Sequence, residues 1–207
     1  MVAWWYLDNA PKKAIWTTAV KRKIHEHWSK PIVESTPYYN GLRYLSCVNL
    51  EKRNLNPILK IDCSSKGVLH RLPTKLKLLT GSYILQSNRI KMLKNESNIL
   101  CLLCSKDKEN IKHFTLDCER LEEVRKPILQ EIEEILNGKE ISWKCLPQDT
   151  KIQLLLDITS VISKLNLDPA SVANIEYCSR RLMFQLHMLR QTRILDMQGT
   201  IKQQGSR

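Results

Sequence analysis

Residues 101–118 read CLLCSKDKENIKHFTLDC, and this stretch holds three of the seven cysteines and one of the five histidines of the 207-residue chain. Cys101, Cys104, His113 and Cys118 follow the spacing C-x2-C-x8-H-x4-C. Three thiolates and one imidazole suit a tetrahedral, borderline-soft ion, and a two-residue gap lets both sulfurs of a knuckle point inward. The stretch therefore predicts one structural zinc ion bound by these four side chains.

Four protein ligands would complete the coordination sphere of this ion. No position would then remain for a water molecule, so the ion is expected to stabilise structure and not to catalyse hydrolysis. The alternative is that the residues are ordinary buried cysteines and a hydrogen-bonded histidine, and the compact spacing favours the metal site over it. The other cysteines are isolated in the sequence and are expected to be core or surface residues, namely Cys47, Cys63, Cys145 and Cys178.

The composition indicates a folded, basic protein. Hydrophobic residues make up 43% and charged residues 26% of the chain, which lies close to the globular average and far from disordered proteins. The length allows one or two compact units. The formal net charge of +12 is typical of proteins that bind a polyanion, and nucleic acid is the first candidate. The simpler alternative is that the charge only keeps the protein in solution.

Neither a membrane span nor a signal peptide is expected from the sequence. The longest uncharged apolar runs, at residues 99–103 and 152–156, are far shorter than the ~20 residues that cross a bilayer. The N-terminus is apolar for only a few residues before Asp8 and Lys12, which is not the pattern of a signal peptide. An odd number of cysteines without a secretion signal indicates reduced thiols. We therefore expect an intracellular protein, nuclear or cytoplasmic.

The N-terminal part of the chain predicts one basic amphipathic helix over residues 10–28. Apolar residues recur there at intervals that suit one helix face. The rings of Trp16 and Trp28 could stack on bases or pack in a core, and a core position is the expected one. Pro, Asn and Gly residues interrupt the sequence at 35–57, so we expect a loop there with a short extended segment over 42–48.

Helical periodicity dominates the rest of the chain. It predicts two short helices on either side of Gly81, an acidic helix over 121–136, and C-terminal helices over 149–165 and 168–197. The sequence thus predicts a mainly α fold of small helical domains with an embedded CCHC zinc knuckle-like site. The predicted division is a basic N-terminal segment, a zinc-binding domain and a C-terminal helical segment, at residues 1–65, 66–138 and 139–207.

Residues 67–94 contain no acidic residue and form a cationic strip in the sequence. Lysine and arginine side chains contact phosphates, and aromatic rings stack on unpaired bases. The residues that we expect to contact nucleic acid are Arg71, Lys75, Lys77, Tyr83, Arg89 and Lys91.

A resemblance to a known family is carried by residues 75–89, KLKLLTGSYILQSNR, by the CCHC cluster, and by Arg125 at the start of an amphipathic helix. These features are similar to the zinc-binding region at the C-terminal end of reverse transcriptases from non-long-terminal-repeat retrotransposons. The match extends over residues 71–127, and residues 28–45, with GLRYL at 41–45, resemble the segment that precedes this region.

The resemblance implies binding to element RNA or target DNA beside a polymerase, so a reverse transcriptase domain is a possible partner. Two features depart from retroviral nucleocapsid knuckles, namely the eight-residue gap before His113 and Ser105 in place of glycine. Their way of gripping exposed bases is therefore not implied. The sequence has no Asp-Asp metal pair of the polymerase type, so the chain resembles a retroelement fragment or a domesticated remnant that lacks the catalytic domain.

The leading interpretation is a non-catalytic, zinc-dependent module that binds RNA or DNA. The alternative is a zinc-stabilised protein-interaction module, in which the acidic helix and the C-terminal helices bind a partner while the basic strip is solvated surface. An enzyme is not expected, because the sequence offers no credible constellation of acid, base and nucleophile.

Overall fold

The computed structural model describes residues 13–60, 69–93 and 99–204, except for the side chains of residues 91–93 and 199–204. The described residues are mainly helical and form no strand, which confirms the predicted fold class at this level. Short 3-10 turns and one π-helical turn connect the α-helices. These are α1 (Lys13–Ser35), α2 (Val48–Glu51), α3 (Leu72–Leu79), α4 (Gln86–Leu93), α5 (Glu122–Asn137), α6 (Gln148–Leu156) and α7 (Pro169–Gln204).

Helix α7 is the centre of the fold, and helices α3, α5 and α6 pack against it. Its apolar residues at positions 175, 182 and 186 are fully buried and lie on one face at helical spacing. On α5, Ile132 and Leu136 are likewise fully buried, while the glutamates of the helix lie on other faces. One core contains side chains from all three predicted segments, and the division into segments stays a prediction.

Helix α1 differs from its prediction in two ways. It extends to Ser35, and none of its described residues is buried. The rings of Trp16 and Trp28 are 58% and 57% exposed, so the expectation that they lie in the core is wrong. Periodicity alone identifies an apolar face but does not show whether another element covers it.

Helix α6 ends at Leu156, nine residues before the predicted end at Leu165. Asp157 leaves the helix in an extended conformation, and its side chain is fully buried. The carboxylate accepts hydrogen bonds from the backbone amides of Ser46 (2.8 Å) and Thr159 (3.1 Å). Because a buried carboxylate needs such donors, these contacts stop the helix at this point.

The hinge between α3 and α4 is present as predicted and contacts a distant part of the chain. Gly81 has a φ of +68°, which is unfavourable for residues with a Cβ atom. A Cβ atom on Gly81 would lie 2.6 Å from the Cα atom of Gly41. The backbone of the Asn40–Leu42 turn therefore rests directly on the hinge. The extended segment expected over 42–48 is absent from this described region, where the backbone forms turns and the start of α2.

No helix within the described ranges is both long enough and apolar enough to cross a membrane.

Candidate metal centre

The four predicted ligand side chains converge on one point. One sulfur or nitrogen atom from each of Cys101, Cys104, His113 and Cys118 lies within 4.8 Å of the others. The Sγ atoms of Cys101 and Cys118 are 3.8 Å apart, and Cys104 Sγ is 3.3 Å from His113 Nε2. Metal bonds of about 2.3 Å to sulfur and 2.0 Å to nitrogen give tetrahedral edges of about 3.8 and 3.5 Å. This group could therefore hold a metal ion.

A tight hairpin presents the first two cysteines. The amide of Cys101 donates to the carbonyl of Asp107 (2.7 Å), and the amide of Glu109 donates to the carbonyl of Ile99 (3.0 Å). Between them the chain turns, and Ser105 at the turn has a φ of +54°. The amide of Ser105 donates to the carbonyl of Cys101 at 2.8 Å, which folds the Cys101–Cys104 segment so that both sulfurs face inward.

A π-helical turn over His113–Asp117 presents the other two ligands. The amide of Cys118 donates to the carbonyl of His113 at 2.8 Å, a bond that spans five residues. On an α-helix, residues five apart point about 140° away from each other. The wider π turn corrects this, and it explains how an H-x4-C spacing can place both ligands on one side.

Two side chains support the positions of these ligands. The Asn110 Oδ1 atom accepts from the amide of His113 (2.9 Å) at the start of the π turn. Arg125, which is 2% exposed, donates from Nη2 to the carbonyl of Cys118 at 2.8 Å and also to Glu122. The first turn of α5 is thereby attached to the last ligand.

The protonation of the cluster is uneven before a metal binds. The hydrogen bond between Cys101 and Cys118 raises the pKa of the Cys101 thiol, an effect that burial increases, and it lowers the pKa of the Cys118 thiol. A bound metal needs thiolates, so binding would release protons from these cysteines. His113 directs Nε2 at Cys104, while its buried Nδ1 atom has no hydrogen-bond partner among the described residues and lies 4.0 Å from Asp107 Oδ2.

Glu109 attaches the metal loop, which we define as residues 99–121, to the helical core. Its side chain is 1% exposed and accepts two hydrogen bonds from Arg190 of α7, at 2.8 and 3.0 Å. It also accepts from the backbone amide of Gln86 at the start of α4 (2.9 Å). Such two-pronged charged pairs fix geometry as well as adding energy. The loop therefore has a defined position relative to α4 and α7.

Two of the residues expected to contact nucleic acid, Lys75 and Tyr83, are buried. Lys75 is fully buried and donates to Glu176 Oε2 (2.7 Å) and Ser179 Oγ (2.6 Å) of α7. Burial lowers the pKa of Lys75, and the charge of Glu176 opposes this effect. This corrects the expectation for Lys75, because a fully buried ammonium group cannot contact a phosphate.

Tyr83 is 6% exposed, and its hydroxyl lies 2.9 Å from His187 Nδ1, so its ring is not open for stacking on a base. Arg71 is half-buried beside the ring of Tyr177. Lys77 and Arg89 are exposed, and their contact with nucleic acid stays a prediction. The side chain of Lys91, and Lys94 as a whole, lie outside the described residues.

The remaining cysteines agree with their expected roles where the chain is described. Cys178 is buried, Cys47 is half-buried and Cys145 is exposed. Burial raises the pKa of Cys178 to about 11, which makes it a poor nucleophile. Cys63 lies outside the described residues.

Sequence reasoning missed the residues that hold the metal loop in place. Asn110 and Glu109 lie between the ligands in the sequence. A polar residue shortly before a ligand histidine is a weak sequence signal for a residue that supports the metal loop. Arg190 gives no such signal, because it is 81 residues from Glu109. Comparison of the chain with protein-family models, with curated proteins and with solved structures finds no match.

Proposed function

We propose that the protein is a non-catalytic nucleic-acid-binding module, stabilised by one structural zinc ion on Cys101, Cys104, His113 and Cys118. In this proposal it belongs to, or derives from, the zinc-binding region of a non-long-terminal-repeat retrotransposon reverse transcriptase, on the resemblance of residues 71–127. The observation that carries the proposal is the convergence of the four ligand atoms within 4.8 Å.

Zinc is the ion that the ligand set favours. Thiolates are soft ligands that magnesium and calcium do not take, and three of them with one imidazole match the structural zinc sites of proteins. The distance between the sulfurs of Cys101 and Cys118, 3.8 Å, and that from Cys104 Sγ to His113 Nε2, 3.3 Å, are close to the edges of a zinc tetrahedron. Four protein ligands leave no open position, which supports a structural role for the ion.

Binding to nucleic acid is supported by charge. The chain carries a net charge of +12, and Lys77 and Arg89 of the predicted strip are exposed on α3 and α4. The metal loop adds Lys108, which is exposed, and Lys112, which is half-buried and lies 3.2 Å from Asp117. Lysine and arginine release counterions when they neutralise phosphates, so most of the affinity would be electrostatic.

The test is a titration of the zinc-loaded protein with labelled single-stranded RNA and with DNA of the same sequence. Affinity is expected to fall by roughly tenfold or more between about 50 and 200 mM salt, because several phosphate contacts are lost together. The paired variant Lys77→Ala with Arg89→Ala should bind more weakly and with a smaller salt slope. Undetectable binding at low salt, or binding that salt does not change, would remove the nucleic-acid proposal.

A protein-interaction module is the second candidate, and one observation favours it. Helix α1 exposes Trp16, Trp28 and Ile24, each more than half accessible, on a helix without buried residues. The acidic helix is a weaker docking surface, because Glu123 and Glu131 of α5 pair with Arg193 and Arg181 of α7. Under this alternative, Trp16→Ser with Trp28→Ser would abolish partner binding, whereas the Lys77 and Arg89 variant would leave it unchanged.

A further inference from the structure

A cleft with a volume of about 520 Å³ lies beside the metal loop. Its walls are the Asn40–Leu42 turn with the residues after it, the hinge between α3 and α4, residues 108–112 of the metal loop, and the start of α6. The contact of Gly41 with Gly81 fixes two of these walls against each other. Asn88 adds hydrogen bonds from Nδ2 to the carbonyls of Gly81 (3.2 Å) and Tyr83 (3.0 Å). The cleft is thus a formed feature of the fold.

Cations come from two of the walls of the cleft. Arg43 comes from the wall beside the Asn40–Leu42 turn, and Lys108 and Lys112 come from the metal loop. Lys112 Nζ forms an ion pair with Asp117 Oδ2 at 3.2 Å, while Arg43 and Lys108 are exposed. Asp149 is the carboxylate among the lining residues. An anionic group would therefore be attracted to the cleft from both walls.

Amide side chains line the same space. Asn40 and Gln148 are exposed and make no side-chain hydrogen bond within the described ranges. Asn110 uses Oδ1 to support His113, and its Nδ2 atom keeps donor capacity. An amide offers both donors and an acceptor, which is the pattern needed to pair with the edge of a nucleobase.

The size and the shape of the cleft select the kind of ligand. Pockets of about 300–1,000 Å³ hold one small-molecule-sized group, and a single nucleotide belongs to this class. The rings of Tyr44 and Tyr83 are each 6% exposed, so a base would be recognised by its edge and not by stacking. A paired base cannot present its edge in this way, whereas an unpaired one can be splayed out into a pocket.

We propose that this cleft binds one unpaired nucleotide of a single-stranded RNA or DNA. The phosphates contact Arg43, Lys108 and Lys112, and the base edge meets Asn40 and Gln148. The inference rests on the proposed function and adds to it the face of the molecule and the single-stranded form of the ligand. An acidic peptide is the less favoured occupant, because its carboxylates would pair with the cations but would leave the amide side chains of Asn40 and Gln148 without a partner.

The metal centre shapes one wall of this cleft. The backbone of Lys108 forms a β-bridge with Leu100 in the hairpin that presents the first two cysteines. Lys112 directly precedes the ligand His113. Removal of the metal would release both lysines from their positions. Binding of single strands should therefore require zinc.

The experiment measures binding of the zinc-loaded protein to a labelled single strand, with the duplex of the same sequence and poly-glutamate as competitors. The variant Lys108→Glu with Lys112→Glu is expected to bind roughly tenfold more weakly or worse. The matched control, Lys144→Glu with Lys164→Glu, makes the same charge change at exposed positions outside the cleft and should change binding by less than about threefold. Zinc content reports whether each variant keeps its metal loop.

Arg43→Glu provides a second test from the wall beside the Asn40–Leu42 turn, away from the metal ligands in the sequence, and should also weaken binding. Equal losses in the cleft variants and the control would overturn the cleft while leaving nucleic-acid binding intact. If the duplex competes as strongly as the single strand, the ligand is not an unpaired nucleotide. If poly-glutamate competes equally well, the cleft does not select nucleic acid. A wild-type protein that binds no strand at all would instead remove the proposed function itself.

Discussion

The helical core and the metal loop of this molecule are stabilised in different ways. In the core, apolar side chains such as Ile132, Leu155 and Ile175 are fully buried between helices. In the loop over residues 99–121, the ligand cluster and polar contacts such as Glu109 with Arg190 determine the shape. The core depends on the hydrophobic effect, whereas the loop adds the ligand cluster and directed polar bonds to the burial of Leu103, Phe114 and Leu121. Four changes would separate these two contributions.

The largest effect is expected from removal of two metal ligands. In Cys104→Ser with His113→Ala the loop should lose its zinc and its order, because structural zinc sites contribute about 10–16 kcal/mol to folding. Elemental analysis should find one equivalent of zinc in the wild type and none in the variant. The helical far-ultraviolet circular dichroism signal of the protein should persist in part. A variant with unchanged zinc content would contradict the ligand assignment.

A smaller effect is expected at the link between the two regions. Glu109→Ala leaves the buried guanidinium of Arg190 without its partner, and loss of one member of a buried pair costs about 3–5 kcal/mol. Denaturant unfolding measures this change. The control Glu123→Ala breaks the exposed pair with Arg193 and should cost less than about 1 kcal/mol. Similar costs in both variants would mean that Glu109 does not anchor the loop.

A change in the core should leave the metal alone. Leu155→Ala removes a fully buried side chain of α6 and should lower the free energy of unfolding by about 2–5 kcal/mol. The zinc stoichiometry is expected to stay at one. Leu195→Ala, at a position that is 64% exposed, is the control and should be close to neutral. Loss of zinc in the Leu155 variant would show that the loop cannot form without an intact core.

The smallest change concerns the backbone of the metal loop. Ser105 adopts the left-handed conformation, which costs a residue with a Cβ about 1–2 kcal/mol, while glycine is free to adopt it. After the entropy cost of glycine, Ser105→Gly should raise stability by about 0.5–1 kcal/mol. Thermal unfolding of the zinc-loaded protein measures the gain. Ser163→Gly, at an exposed turn position without a positive φ, should instead lower stability.

Local patterns in the sequence predicted the features that depend on neighbouring residues. The convergence of the four ligand side chains follows from spacing, the hinge follows from Gly81, and α5 follows from its periodicity and from Gly138 at its end. Each of these depends on residues that are close together in the chain. The sequence predicts such features because the residues that cause them lie within the same short pattern.

Two of the wrong expectations depend on residues that are far apart in the chain. Lys75 is buried because Glu176 and Ser179, more than 100 residues away, hydrogen-bond its ammonium group. Helix α6 ends early because Asp157 is held by Ser46, 111 residues before it. A lysine in a basic strip looks like any other in the sequence, and only the tertiary structure distinguishes a solvated one from a buried one.

The close crossing at Gly81 restricts which mutations the protein can tolerate. Any side chain at this position would need the left-handed conformation and would also place its first carbon 2.6 Å from the backbone of Gly41. The atom that it meets belongs to the main chain, which cannot rotate away as a side chain does. In a library of random substitutions, position 81 should return only glycine, whereas the exposed neighbours Ser82 and Ile84 should accept many residues.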